Sequence, residues 1–256
     1  MTRRPLIYIG NDDGIDARGI HALAEFVADL GDVYVVAPRE QQSAKSSAIS
    51  FGSRLYVEPN GGYPAGITAY SAGGTPVDCA KLGFHSLLPR RPDLVLSGIN
   101  HGSNLGINTL YSGTMGVVVE GCLLGVPSIG FSYTSHDTEA PLEHLRDTIR
   151  AITGEVLARG LPAGVCLNVN IPADTELRGM RVGALCPGYW TEEFIREPDE
   201  HGRDSYLLSG TFVNTAPDDP TTDVALCDRG YVAIAPVLVE QTAREAIAPL
   251  SERFNR

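Results

Sequence analysis

Positive charge is scarce in this sequence: 20 lysines and arginines stand against 31 aspartates and glutamates, a formal net charge of −11. Such a surface repels polyphosphate chains, which argues against a nucleic-acid duplex or an anionic membrane as partner. Any phosphate ligand must then be met by a local device, a metal ion or a cluster of backbone amides. Long apolar runs are missing too. After Arg3, Arg4 and Pro5 the first such run, Leu6–Ile9, has four residues, far short of a signal-peptide core or of the roughly 20 residues of a membrane span. The expected location is the cytoplasm. Cysteine neither pairs nor clusters: Cys79, Cys122, Cys166, Cys186 and Cys227 are odd in number, widely spaced and free of any C-x-x-C. Neither a disulfide framework nor a structural zinc site is indicated, and the thiols are expected to be reduced and structural. With 256 residues, 43% of them hydrophobic, the chain is long enough to bury a core without such staples.

What is present is an alternation of short apolar runs and helical spacing. Leu6–Ile9 reads as a buried strand, Gly19–Leu30 carries apolar Ile20, Leu23, Ala24, Val27 and Leu30 at helical intervals, and Val33–Ala37 is a second buried strand. Strand, helix, strand at this distance is a βαβ unit with a parallel sheet. The pattern recurs as strand Thr68–Ser71, helix Pro76–Leu88, strand Leu94–Ser97, helix Thr114–Leu124, strand Ser128–Phe131, helix Leu142–Arg159 and strand Cys166–Ile171. Residues 1–172 are therefore expected to form a doubly wound α/β domain. Beyond Pro172 the composition turns to Pro, Gly, Asp and Glu. Residues 173–256 are expected to give a hairpin arm around Ser205–Val213, a returning strand Tyr231–Val237 and a terminal helix Thr242–Phe254, with no strong helix between 185 and 230. An arm and a helix without a core of their own are expected to find one on a neighbouring subunit.

In an open α/β sheet the ligand site lies beyond the carboxyl ends of the strands, so the loops there are read for chemistry. The first strand ends in Asn11-Asp12-Asp13-Gly14, the second leads to Ser43 and Lys45, and Leu94–Ser97 runs into Ser97-Gly98-Ile99-Asn100-His101-Gly102-Ser103-Asn104-Leu105-Gly106, followed by Tyr111-Ser112-Gly113-Thr114. The first of these has two readings. Adjacent aspartates before glycine are common in turns, where they cap the next helix; but crowded carboxylates resist ionising unless a cation sits between them. Magnesium or manganese takes oxygen ligands in octahedral geometry, so Asp12 and Asp13 joined by the Ser43 hydroxyl and the Asn100 carbonyl make a plausible cage. The glycines at 98, 102 and 106 do not have the dinucleotide-fingerprint spacing. Ser112-Gly113-Thr114 opens a helix, and is either a plain cap or an anion site built from free amides and the helix dipole. His101 is the histidine best placed for proton transfer, although a loop histidine is more often only solvated. His136 and the remaining histidines carry no signal.

Together these stretches resemble the survival-protein-E (SurE) family of metal-dependent nucleotide phosphatases. The likeness rests on N-D-D-G-I at 11 to 15, V-V-A-P at 35 to 38 with Ser43, G-T-P-V-D-C at 74 to 79, S-G-I-N-H-G-S-N-L-G at 97 to 106 and Y-S-G-T-M-G at 111 to 116, and continues loosely through N-V-N-I-P at 168 to 172. The resemblance implies a Rossmann-like, mostly parallel α/β fold with an arm exchanged between subunits into homodimers or homotetramers. It implies hydrolysis of nucleoside 5′- and 3′-monophosphates with one divalent metal ion. By position, Asp12, Asp13, Ser43 and Asn100 are the implied metal ligands, and Asn104, Ser112, Gly113 and Thr114 the implied phosphate contacts. Asp13 is the aspartate expected to orient water as well; whether water or an aspartate attacks phosphorus stays open. Where the family often has Asp-Arg after Ala37-Pro38, this chain has Arg39-Glu40, so substrate preference is carried over less safely than activity. A non-catalytic nucleotide or phosphate sensor is the competing expectation, since metal and amides suffice for binding.

Overall fold

Leu6–Gly10 (β1) is buried at every position, as a strand covered on both faces must be. In the computed structural model, which describes residues 3–173 and 175–255, it is followed by α1 (Arg18–Val27), β2 (Asp32–Pro38), β3 (Val57–Pro59), β4 (Ile67–Ala72), α2 (Pro76–Leu82), β5 (Leu94–His101), α3 (Gly113–Leu123), β6 (Ser128–Tyr133), α4 (Arg146–Arg159) and β7 (Val165–Ile171). The second part of the chain gives β8 (Met180–Val182), β9 (Gly188–Thr191), β10 (Phe194–Pro198), β11 (Asp204–Leu208), β12 (Thr211–Asn214), α5 (Asp223–Asp228), β13 (Val232–Leu238) and α6 (Arg244–Phe254).

The main sheet runs β3-β4-β2-β1-β5-β6-β7-β13-β8. From β4 to β7 all neighbours are parallel, whereas β3 and β13 pair antiparallel with β4 and β7. Alternate residues of β1 serve the two faces: Ile7 and Ile9 pack with Ile20 and Leu23 of α1 and Ile149 of α4, while Tyr8 packs with Ala80 of α2 and Val117 of α3. The chain steps outward from β1 to β2 and β4, then crosses back to β5 on the other side of β1. The order reverses between β1 and β5, and the crevice beyond their carboxyl ends is the ligand position of such a fold. No helix of the described residues is long and apolar enough to cross a membrane.

The doubly wound core expected from the sequence is observed, with differences of detail. The helix expected over Pro76–Leu88 is α-helical only to Leu82; Gly83–Leu87 forms a wider π turn, in which Gly83 lies so close to the Tyr8 ring that a Cβ would sit 2.7 Å from Cε2. Leu142–Arg159 begins as a short 3-10 turn, Glu143–Leu145, before α4. Strand β5 does not stop at Ser97. It slips register against β6 between Ser97 and Asn100, at Gly98 with φ +122°, and so carries Asn100 and His101 on the strand's end rather than on a free loop.

The hairpin arm expected around Ser205–Val213 is present but reaches further back in the chain. Those residues are one side of a longer arm in which β10 pairs with β11 and β9 with β12. Gly210 (φ +138°) and Glu192 (φ 52°) mark the break between the two halves. The reversal lies at 199 to 203, where the Asp199 carboxylate accepts from the His201 and Arg203 amides at 2.9 Å each. Helix α5, unexpected between 185 and 230, is capped by Thr222; its six residues are too few to display a period. The returning strand β13 is found as expected, inside the main sheet beside β7, and α6 buries no residue on this chain.

Candidate active site

The turn after β1 is made by Asn11. Its Nδ2 donates to the Gly14 carbonyl at 2.8 Å and its Oδ1 accepts from the Gly14 amide at 3.3 Å. Gly14 takes φ +104°, and Ala17, which precedes α1, caps it with no side chain. Asp12 and Asp13 are thereby freed from the turn and cap roles that their sequence suggested.

Asp12 instead points at α3. Its Oδ1 accepts from the Thr114 hydroxyl at 2.5 Å, and the Gly113 and Thr114 amides also hydrogen-bond to its carboxylate. A Cβ on Gly113 would stand 2.8 Å from the Asp12 Cβ, so only glycine allows this approach. The dipole and free amides of the α3 N-terminus are thus directed at an anion that the protein itself supplies. Burial still raises the Asp12 carboxyl above its ordinary value, with these hydrogen bonds acting in the opposite direction.

Asp13 is more poorly compensated. Burial first, and the Asp12 charge second, push its carboxyl up to about 6, against partial relief from the His101 amide and the Gln41 side chain. Its Oδ2 is buried and has no hydrogen-bond partner among the described residues. A buried acceptor left unpaired is costly, and a cation is the partner that would both satisfy it and offset the repulsion from Asp12.

Asp12, Asp13, Ser43, Asn100, Asn104 and Ser112 all line one cleft of ≈ 240 Å³ at the β1/β5 switch point. Ser43 comes from an exposed loop held over the strand ends: the Gln42 amide donates to the Asp12 carbonyl at 2.7 Å, and the Ser46 hydroxyl to the Leu110 carbonyl at 2.6 Å. Asn100 donates through Nδ2 to the Gly102 carbonyl at 2.7 Å, which leaves Oδ1 as the acceptor a cation would use. Among the described residues no three His, Cys, Asp or Glu side chains converge; the donor set is two carboxylates with neutral oxygens, which suits a hard cation such as Mg²⁺ or Mn²⁺. The residues present therefore fit the implied metal.

The expected phosphate contacts divide. Ser112, the α3 cap that accepts from the Met115 amide at 3.1 Å, and Asn104 face the cleft. Gly113 and Thr114 stand behind Asp12, and the Thr114 hydroxyl is committed to it.

Sequence reading missed what holds Asn104. Its amide donates to Asn170 Oδ1 at 2.9 Å, its Nδ2 to Ser132 Oγ at 2.8 Å, and its carbonyl accepts from Asn168 Nδ2 at 2.7 Å. Asn168 also donates to Thr109 Oγ1 at 3.0 Å and accepts from Asn170 Nδ2 at 3.2 Å. The available signal was two asparagines alternating in an otherwise apolar strand: buried amides demand partners. His136, also passed over, lines the cleft beside Gly102, where a Cβ would lie 3.0 Å from its ring. His101 Nε2 is buried with no partner among the described residues, and burial lowers its pKa, favouring the neutral ring.

The Survival protein SurE family model matches residues 7–192. A 5′-nucleotidase SurE of Flavobacterium psychrophilum is 42% identical over 250 residues, spanning 97% of this chain and 97% of that protein. The 5′-nucleotidase SurE of Christiangramia forsetii is 44% identical over 254 residues, 97% and 96% of the two chains. The crystal structure of the SurE protein from Aquifex aeolicus matches with a TM-score of 0.83 at 32% identity, covering 97% of this chain and 99% of that one.

Proposed function

The chain belongs to the SurE family, and from that premise we propose that this nucleotidase hydrolyses nucleoside 5′- and 3′-monophosphates to nucleoside and phosphate with one divalent cation, Mg²⁺ or Mn²⁺. The observation that carries the metal dependence is the unpartnered Oδ2 of Asp13 beside Asp12 in an oxygen-lined cleft. Asp12, Asp13, Ser43 and Asn100 are the residues that would hold the ion, which when bound supplies positive charge at the phosphoryl oxygens and acidifies water. The other roles belong to the chain itself. Thr114 and the start of α3 fix the Asp12 carboxylate; Ser112 and Asn104 offer a hydroxyl and an amide to the phosphate; the Asn168 and Asn170 side chains hold Asn104 in place. Asp13, less restrained than Asp12, is the carboxylate suited to orient attacking water.

Phosphate release from a panel of nucleoside monophosphates tests this. Release is expected with Mn²⁺ or Mg²⁺, to disappear on chelation and to return when metal is restored. Binding without turnover across the panel would leave a sensor, and turnover indifferent to chelator would remove the metal from the proposal.

The proposal extends to assembly and location. Phe194, Ile195, Tyr206, Leu207 and Leu208 of the arm and Ile247, Leu250 and Phe254 of α6 are all exposed, an apolar area of the kind subunits cover. A homodimer or homotetramer through the arm is the expected mass by light scattering, and a monomer across the working concentration range would refute it. The five cysteines, free and buried, fit a reducing compartment such as the cytoplasm.

A further inference from the structure

Asn108 lines the cleft, and its side chain is held from outside the α/β core. The indole Nε1 of Trp190 donates to its Oδ1 at 3.0 Å. An indole N–H can only donate, so the amide oxygen faces the ring and the two N–H donors of Asn108 are left for another acceptor.

Trp190 lies on β9, at the root of the arm, where Phe212 of β12 stands directly opposite it and packs edge-on at 6.0 Å between centroids. The turn carrying Asn108 is fastened to the same root at a second point. Asp223 accepts from the Gly106 amide through Oδ2 and from the Cys186 amide through Oδ1, each at 2.8 Å. Gly106 approaches so closely that a Cβ would lie 2.6 Å from the Cys186 carbonyl oxygen. The arm root therefore stands behind the turn that brings Asn104 and Asn108 to the cleft.

Depth decides which part of a substrate meets Asn108. Asp12, Asn104 and Ser112 are 5%, 7% and 7% exposed, while Tyr111 at the opening is 55% exposed and Asn108 is half-buried. A phosphomonoester seated with its phosphate among the deep residues presents its alcohol portion to Asn108. We propose that Asn108, oriented by Trp190, is a specificity-determining contact that donates to an oxygen or ring-nitrogen acceptor of the nucleoside, and that Trp190 is its positioning residue. This rests on the phosphomonoesterase reading above and adds to it the element that distinguishes a nucleotide from a simpler ester.

Trp190→Phe keeps an aromatic ring against Phe212 and deletes the N–H. KM for adenosine, guanosine, cytidine and uridine 5′-monophosphates is expected to rise about five- to tenfold, the value of one hydrogen bond, with kcat within about twofold. Hydrolysis of phenyl phosphate, whose leaving group offers no ring nitrogen or hydroxyl to the amide, is expected to be unchanged. Asn108→Ala is expected to give the same split, and decides the matter if Trp190→Phe does not fold. Because Trp190 is the chain's single tryptophan, its emission should also shift when the wild-type protein binds a nucleoside monophosphate and not when it binds inorganic phosphate. Equal losses on both substrates, or no loss on either, would overturn the proposal. Wild-type protein that hydrolyses phenyl phosphate but no nucleotide would overturn it too; wild-type protein that hydrolyses neither would defeat the phosphomonoesterase reading itself and this inference with it.

Discussion

Asp13→Asn is expected to lower phosphate release from nucleoside monophosphates by at least about 100-fold, since loss of even a supporting group around a metal costs 10–100-fold, and at the same time to make the chelated protein more stable. Both effects have one cause. Without a cation, Asp13 is a partly buried carboxylate pressed against Asp12, with one oxygen that no described residue satisfies. An amide of the same size removes the charge and can donate toward Asp12, turning repulsion into attraction. The sign with pH follows from the raised carboxyl. The unfolded chain releases this proton near 3.8 and the folded chain near 6, so the folded state binds the extra proton between those values. Its contribution to stability is complete below the unfolded value and is lost as pH rises through about 6. In chelator, wild-type protein is therefore expected to melt at a higher temperature at pH 5 than at pH 7 through this group, and Asp13→Asn to lack that component. Added Mn²⁺ should raise the wild-type melting temperature at pH 7 by mass action and leave the variant nearly unmoved. A variant that melts lower than wild type in chelator, or that keeps the full response to Mn²⁺, would show that Asp13 is not a ligand.

The central sheet was legible because a strand covered on both faces has to be an apolar run, and Leu6–Ile9, Val33–Ala37 and Leu94–Ser97 are such runs. Helix α1 was legible because Ile20, Leu23, Ala24 and Val27 fall on its buried side. The elements that escaped are those with no period to read. Strands β3 and β8 have three residues each, mostly exposed. In the arm, the alternation over Ser205–Val213 is strand alternation, but its partners, residues 188–198, are too far back in the chain for a local pattern to show the pairing.

At the candidate site, the sequence places NDDG, Ser43, Asn100 and Ser112 in loops beyond neighbouring strands, and the switch point brings them into one cleft. It does not reveal which anion the start of α3 receives. A helix N-terminus reads the same whether it awaits a phosphate or already holds an aspartate from 102 residues earlier, and only the fold shows Thr114 bonded to Asp12. Nor does it reveal the supports. Asn168 and Asn170 announce buried polar partners without naming them, and Trp190 reaches Asn108 across 82 residues with no local pattern to connect them.

The other large effect expected is on stability rather than chemistry, at Asp223. This carboxylate is fully buried and accepts from three backbone amides, those of Gly106, Cys186 and Val224, at 2.8 to 2.9 Å. Asp223→Ala leaves all three donors without this acceptor, and at about 1–3 kcal/mol for each unsatisfied buried group the loss is expected to be about 3–5 kcal/mol. Asp223→Asn keeps one oxygen for part of that set and relieves the burial that raises the wild-type carboxyl, so its loss is expected to be less than half as large. The two variants separate hydrogen bonding from charge. If the negative charge itself were the stabilising feature, alanine and asparagine would lose similar amounts; if the amides are, asparagine, which keeps one acceptor oxygen, loses clearly less than alanine. Urea unfolding at fixed protein concentration measures both, and a loss below about 1 kcal/mol for Asp223→Ala, the value of one ordinary hydrogen bond, would mean that water reaches these amides and that the arm root is not fastened to the 104–110 turn as the structure has it.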